Sequence, residues 1–225
     1  MRVAALYDVH GNLPALEAVL SEVERESPDV VLVGGDVCAG PFPRECLARL
    51  RGLGERTVWI RGNAERDLHG WTAEQLSEEE RAFLRGVQFS AVLDGVLYVH
   101  GSPRADDEML TPRTPEPQVE DALAGVEERV VVHGHTHIQY ERRVGARHVI
   151  GPGSVGIPYA PAPGAYWGMF GPEYEPRFTA YDLERAAALI RASADPRTEE
   201  FADENVVRVP TAEEAMDVFE ARTSR

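Results

Sequence analysis

Five short segments carry residue types that can do metal chemistry: Asp8-Val9-His10, Gly35-Asp36, Gly62-Asn63, His100-Gly101 and His135-Thr136-His137. In Asp8-x-His10 and His135-x-His137 the polar residues alternate. At a strand end or in a tight loop such a pair can point to one side, or embrace one ion from two directions. Carboxylate, imidazole and amide oxygen together suit Mn, Fe, Zn, Ni or Co. The histidines His10, His100, His135 and His137 disfavour a pure Mg or Ca site, which calls for oxygen ligands. Each residue alone has an ordinary reading. Asp8 serves equally as a cap or turn residue, Asn63 after Gly62 as a turn residue, and His100 or His135 as a hydrogen-bonded structural histidine. The joint pattern outweighs these readings because every segment closes an apolar run.

Those runs are the elements that must position the chemistry. RVAALY (2–7) ends at Asp8, DVVLV (29–33) at Gly34-Gly35-Asp36, and TVWI (57–60) at Arg61-Gly62-Asn63. VLYVH ends at His100, and RVVVH leads into HGHTH. All read as buried strands. Asn12 as N-cap, Pro14 in the first turn, and Leu13, Leu16, Leu20 and Val23 on one face predict a helix over 12–26. Further helices are expected at 44–51, from the Ser77/Glu80 capping box to about Arg85, at 116–125 and at 183–193. Gly95 and Gly145 mark hairpins. SPRADDEMLTPRTPEP and PYAPAPG read as loops, 165–170 and 176–181 as strands, and ASADPRTEE as a linker before a last helix capped by Thr211 and Glu214. In α/β sheets, ligands bind at the carboxyl ends of strands, where side chains from separate strands converge.

Composition bounds the function. The 225 residues, 43% of them hydrophobic, suffice for one domain with a large core. No apolar run approaches the roughly 20 residues of a membrane span. MRVAALYDVHGN makes a poor signal peptide, so the chain reads as cytoplasmic, with no membrane partner. Cys38 and Cys46 lack zinc-site spacing and read as buried or idle thiols. The net charge is −15 and there is no lysine, which excludes lysine Schiff-base chemistry and a Walker-type lysine. It also weighs against nucleic acid as a partner, because such binding relies on many cationic contacts to phosphate. A small molecule is the expected partner, and homo-oligomerisation is left open.

The ordered set DVHGN, GGD, RGNAE, VHGS and HGHTH resembles the calcineurin-like metallophosphoesterase superfamily, whose pattern is D-x-H, G-D, G-N, H and G-H-x-H. The size and short loops look like its compact prokaryotic phosphodiesterase branch. The likeness runs from Asp8 to about Gly156. It implies a four-layer α/β/β/α sandwich of two mixed β-sheets flanked by helices. It implies two divalent transition-metal ions (manganese among them), one on Asp8, His10 and His137 and the other on Asn63, His100 and His135. Asp36 would bridge them and hold the nucleophilic hydroxide, which would attack phosphorus in line. The implied function is metal-dependent hydrolysis of a small phosphoester substrate, most simply a phosphodiester.

One position departs from the pattern. The common G-N-H-[D/E] motif has a histidine that assists the leaving group, and here Ala64 stands in its place. The general acid is therefore unassigned. A metal-bound water, His69 and Arg104 are candidates, and Asn12, Arg104 and His69 are candidate substrate contacts. Asn12 reads first as a helix cap. His133 and His148 read as core or strand residues, and GPGSVG as a loop whose glycines let backbone approach the site. A competing reading is a non-catalytic scaffold on the same fold. Ala64 favours it, and the complete ligand set opposes it. The expected division is a metallophosphoesterase domain over 1–193 and a C-terminal extension over 194–225, which packs on the domain, forms a lid or makes an interface.

Overall fold

The computed structural model describes residues 1–223, and side chains through residue 221. The last two positions of the tail lie outside the described residues. The first half alternates strand and helix: β1 (Val3–Leu6), α1 (Leu13–Glu26), β2 (Val30–Val33), α2 (Pro43–Arg51) and β3 (Thr57–Trp59). Three short helices follow, α3 (Asn63–Arg66), α4 (Gly70–Gln75) and α5 (Glu78–Arg85), then the hairpin β4 (Ser90–Leu93) and β5 (Val96–Val99). Next come α6 (Glu116–Ala122), β6 (Val130–His133), β7 (Gln139–Val144) and β8 (Arg147–Pro152). The chain ends with β9 (Ala165–Phe170), β10 (Tyr174–Thr179), α7 (Leu183–Arg191), α8 (Thr198–Ala202), a π-helical turn (Asp203–Val207) and α9 (Ala212–Thr223).

The strands form two five-stranded mixed sheets, β10-β9-β1-β2-β3 and β4-β5-β6-β8-β7. β1, β2 and β3 run parallel, as do β5, β6 and β8, and β9, β10, β4 and β7 pair antiparallel. The period-two alternation of strand side chains assigns the layers. Val3, Ala5, Tyr7 and Leu32 of the first sheet share a core with Tyr98, Val132 and Ile150 of the second. The intervening Ala4, Leu6, Val31 and Val33 instead face Leu16, Leu20 and Leu47 of α1 and α2. Leu97, Val99, Val131 and Val149 face Val119 and Ala122 of α6. The result is the four-layer α/β/β/α sandwich. Asn12 caps α1 by accepting from Ala15 N at 3.3 Å. Burying Leu16 and Leu20 from that helix contributes about 1.5–3 kcal/mol each.

The structure adds elements that local patterning does not predict. α3 and α4 occupy a stretch without clear helical periodicity, and α8 begins inside ASADPRTEE. Short helices are marginal alone and form where tertiary burial holds them. For α8 that burial is Phe201 and Ala202 with Val206, packed on Ala186, Ala187 and Ile190 of α7. β10 starts at Tyr174 rather than 176, because Tyr174 pairs with Phe170 and stacks on it at 4.9 Å. Cys38 and Cys46 are buried free thiols. Among the described residues no helix is long and apolar enough to cross a membrane.

Candidate metal centre

The parallel strands of each sheet deliver their carboxyl ends to one cleft, and backbone bonds tie the loops there together. Asp8 N donates to Gly35 O (3.1 Å), His10 N to Asp36 O (2.8 Å) and Gly134 N to His100 O (2.7 Å). The GPGSVG loop closes over β1: Val155 N donates to Tyr7 O (3.0 Å), and Gly156 N (3.0 Å) and Ser154 Oγ (2.8 Å) donate to Asp8 O. The price of this geometry is backbone strain. Asp8, His10, Asp36, His135 and His137 all take positive φ, between 46° and 65°. Only Ser27 and Asp94 do so elsewhere among the described non-glycine residues. The left-handed region costs a residue with a Cβ roughly 1–2 kcal/mol, and Asp and His are among the types that visit it most. Strain concentrated in this way marks functional loops.

The side chains gather into two groups. Ligand atoms of Asp8, His10 and His137 all lie within 4.8 Å of one another, and so do those of Asp36, His100 and His135. The carboxylates lie between the groups. Asp36 Oδ2 is 3.7 Å from His10 Nε2, and Asp36 Oδ1 is 3.5 Å from His100 Nε2. Asp8 Oδ1 is 3.4 Å from His137 Nε2 and 3.8 Å from His100 Nε2, while Asp8 Oδ2 accepts from His135 N at 3.1 Å.

The chemistry of these atoms fits a cation. His10 Nδ1 bonds Ala39 O (3.3 Å) and His100 Nδ1 bonds Gly34 O (2.8 Å). A carbonyl only accepts, so each Nδ1 carries a proton and Nε2 is the ring atom turned into the cleft. His10 Nε2 lies 3.1 Å from His137 Nε2, a distance at which one ring can donate to the other or both can turn to one cation. Asp8 Oδ1, Asn63 Oδ1 and His100 Nε2 are buried there without a hydrogen-bond partner, a costly state for protein groups and the ordinary state of metal ligands. Burial, then the neighbouring His137, holds His10 down at about 4. Burial also works to lower His100, but Asp36 and then Asp8 hold its imidazolium up at about 10. The cleft therefore stabilises positive charge where Asp8, Asp36 and His100 converge.

Residues 1–169 match the calcineurin-like phosphoesterase superfamily domain. The chain belongs to that superfamily. Phosphodiesterase YfcE of Escherichia coli strain K12 is 26% identical to it over 185 residues, which covers 74% of this chain and 85% of the relative. A metallophosphoesterase from Sphaerobacter thermophilus superposes with a TM-score of 0.76 at 26% identity, over 90% of this chain and 97% of that one. The protein PH1004 from Pyrococcus horikoshii OT3 shares the fold, with a TM-score of 0.78 at 20% identity, over 89% of this chain and 97% of that one.

Within this calcineurin-like domain, the remaining residues singled out in the sequence fall in different places. Arg104 forms ion pairs of its own. Its exposed guanidinium pairs with Glu108 at 2.5 Å and Asp121 at 2.6 Å, and it lines a separate cavity with Met109 and Gln118. Arg104 is thus occupied by its own acidic neighbours. Asn12 is fully buried, with Oδ1 committed to Ala15 N and Nδ2 to Gly156 O at 2.9 Å, so it holds the loop rather than substrate. His69 lines a cavity beside Asn63 and Ala64. His133 is buried, with Nε2 on the Tyr140 hydroxyl at 2.7 Å, and His148 Nε2 pairs with Glu141 at 2.8 Å. Ala64 contributes its backbone, N donating to Asp36 Oδ1 at 2.8 Å.

Sequence reasoning gives Glu65 no role, yet it ties two of the loops together. Its buried carboxylate accepts from Asp36 N (2.8 Å), Val37 N (2.8 Å) and Gly62 N (3.0 Å). The signal was an acid three residues after Gly62, the spacing of a capping box. Burial, then Asp36, raises the Glu65 carboxyl, and the backbone donors offset the shift. Removing it orphans three buried N–H groups at about 1–3 kcal/mol each. Glu65→Ala should therefore lower unfolding stability by about 3 kcal/mol or more in urea titrations, with Glu65→Gln between it and wild type. A loss under about 1 kcal/mol would refute the bracing role.

Proposed function

We propose that this phosphoesterase hydrolyses small-molecule phosphodiesters at a binuclear metal centre. Asp8, His10 and His137 would hold one divalent ion, and Asn63, His100 and His135 the other, with Asp36 between them. The mixed nitrogen and oxygen donors suit Mn, Fe, Zn, Ni or Co. Such ions activate water near neutral pH and stabilise the charge that develops on phosphoryl oxygens. The observation that carries the reading is the meeting of two three-residue groups at Asp36, whose oxygens face opposite groups.

The chain's own part is preorganisation. Ala39 O and Gly34 O fix the tautomers of His10 and His100, Glu65 fixes the Asp36 loop, and the strained loops keep the donor atoms converged. Ala64 supplies only a methyl, so esters with good leaving groups should be cleaved best. The diester preference is drawn from the likeness to a phosphodiesterase. A scaffold would have no use for unpartnered buried donor atoms and strained loops. Purified protein given Mn or Ni should turn over bis-p-nitrophenyl phosphate faster than p-nitrophenyl phosphate. If neither ester shows metal-dependent turnover, and Asp36→Ala matches wild type, the enzyme reading fails.

A further inference from the structure

A cavity of about 470 Å³ adjoins the metal centre on the α3–α4 side. Its size falls within the roughly 300–1,000 Å³ of small-molecule sites. Asn63 and Ala64 form its inner wall, and Trp71, His69 and Arg197 are also part of its lining. It is contiguous with the ligands: Ala64 N bonds Asp36, and the Ala39 carbonyl that bonds His10 belongs to a lining residue. A phosphoryl group held at those ligands would have an ester arm at the mouth of this cavity.

The lining chemistry specifies the arm. Asp67 also lines the cavity, but its carboxylate pairs with Arg66 Nη2 at 2.7 Å and Nε at 3.1 Å. Arg197 Nε lies 3.5 Å from Asp195. Arg66 is also shared with Asp106 and Asp107, so the cavity has no surplus cation to recruit a second phosphate. What remains is an indole, hydrogen-bond donors and an acceptor. A guanidinium has five N–H donors, and the contact to Asp195 at 3.5 Å is made by Nε. His69 Nδ1 bonds the Asp67 carbonyl, so in the neutral ring Nε2 is the acceptor. Indole faces stack flat rings of any base. Arg197 lies beyond residues 1–169, so the tail supplies a wall of this cavity, held there by Phe201, Ala202 and Val206 against α7.

We propose that this cavity binds one ester arm of the substrate and selects a neutral nucleoside, with Trp71 as stacking face and Arg197 as hydrogen-bond donor. The proposal rests on the phosphodiesterase reading above. Its test compares thymidine 5′-p-nitrophenyl phosphate with methyl p-nitrophenyl phosphate, which share a leaving group, and adds a calorimetric titration of thymidine 5′-monophosphate with Mn present. Wild type should prefer the thymidine ester. Trp71→Ala should lower its kcat/KM about tenfold through KM, leave the methyl ester within about twofold, and weaken monophosphate binding by the same tenfold. Arg197→Ala, an exposed substitution, should act in the same direction. If the methyl ester is turned over with no thymidine preference and no Trp71→Ala effect, the cavity assignment falls and the phosphodiesterase reading stands. If neither ester is turned over but Trp71→Ala still weakens monophosphate binding, the assignment stands and the reading falls. Absence of monophosphate binding, or equal losses on both esters, overturns the assignment.

Discussion

Asp36→Asn is expected to lower metal-dependent phosphoester turnover by at least about 10²–10³-fold, the range for losing one preorganised electrostatic contact. Asparagine keeps the shape and can still accept from Ala64 N, so the loop should hold. It removes the negative charge lying 3.7 Å from His10 Nε2 and 3.5 Å from His100 Nε2. Two ions held close together repel, and a shared carboxylate is what offsets that repulsion. Circular dichroism and a thermal melt should stay near wild type while kcat/KM falls. Turnover within about tenfold of wild type would show that Asp36 does not stand between two ions. Arg104→Ala is the matched control, since its guanidinium is taken by Glu108 and Asp121, and it should leave kcat/KM within about twofold.

Gly62→Ala is expected to lower activity about a hundredfold with no change of charge. A Cβ at Gly62 would overlap Asp36 Oδ1 and lie 2.6 Å from Asp36 N. Both atoms are pinned, Oδ1 by Ala64 N and Asp36 N by Glu65, so the loop must move rather than a flexible side chain. A displacement of about 1 Å at reacting groups costs on the order of a hundredfold. Gly86→Ala supplies the contrast. Gly86 ends α5 in right-handed helical geometry, where a Cβ would meet Phe83 O at 3.4 Å, an ordinary contact. That substitution should be neutral to mildly stabilising, by at most about 1 kcal/mol, with full activity. Equal activity of the two variants would show that the close approach at Gly62 does not matter.

The strands were legible because each apolar run is closed by a Gly-rich polar loop, and Asp8, His10 and His137 lie close together, as do Asp36, His100 and His135. The four layers came from family resemblance, although the alternation Ala4/Leu6 against Val3/Ala5/Tyr7 carries the same information once strand order is known. Arg104, a candidate substrate contact, forms ion pairs with two acidic neighbours. One of its partners, Glu108, stands at i+4 and could have been read, but Asp121 comes from α6 and could not. α8 was hidden because its five residues have no helix signal apart from Phe201 and Ala202, whose burial depends on α7. Arg197 could not be associated with Asn63 for the same reason: only the folded tail brings them to one cavity.

Metal stoichiometry is the most direct measurement. Protein loaded with Mn or Zn and freed of excess ion should carry two equivalents per chain by elemental analysis, with fewer in Asp36→Asn. One equivalent or none in wild type under saturating conditions would contradict a binuclear centre on Asp8, His10, Asp36, Asn63, His100, His135 and His137.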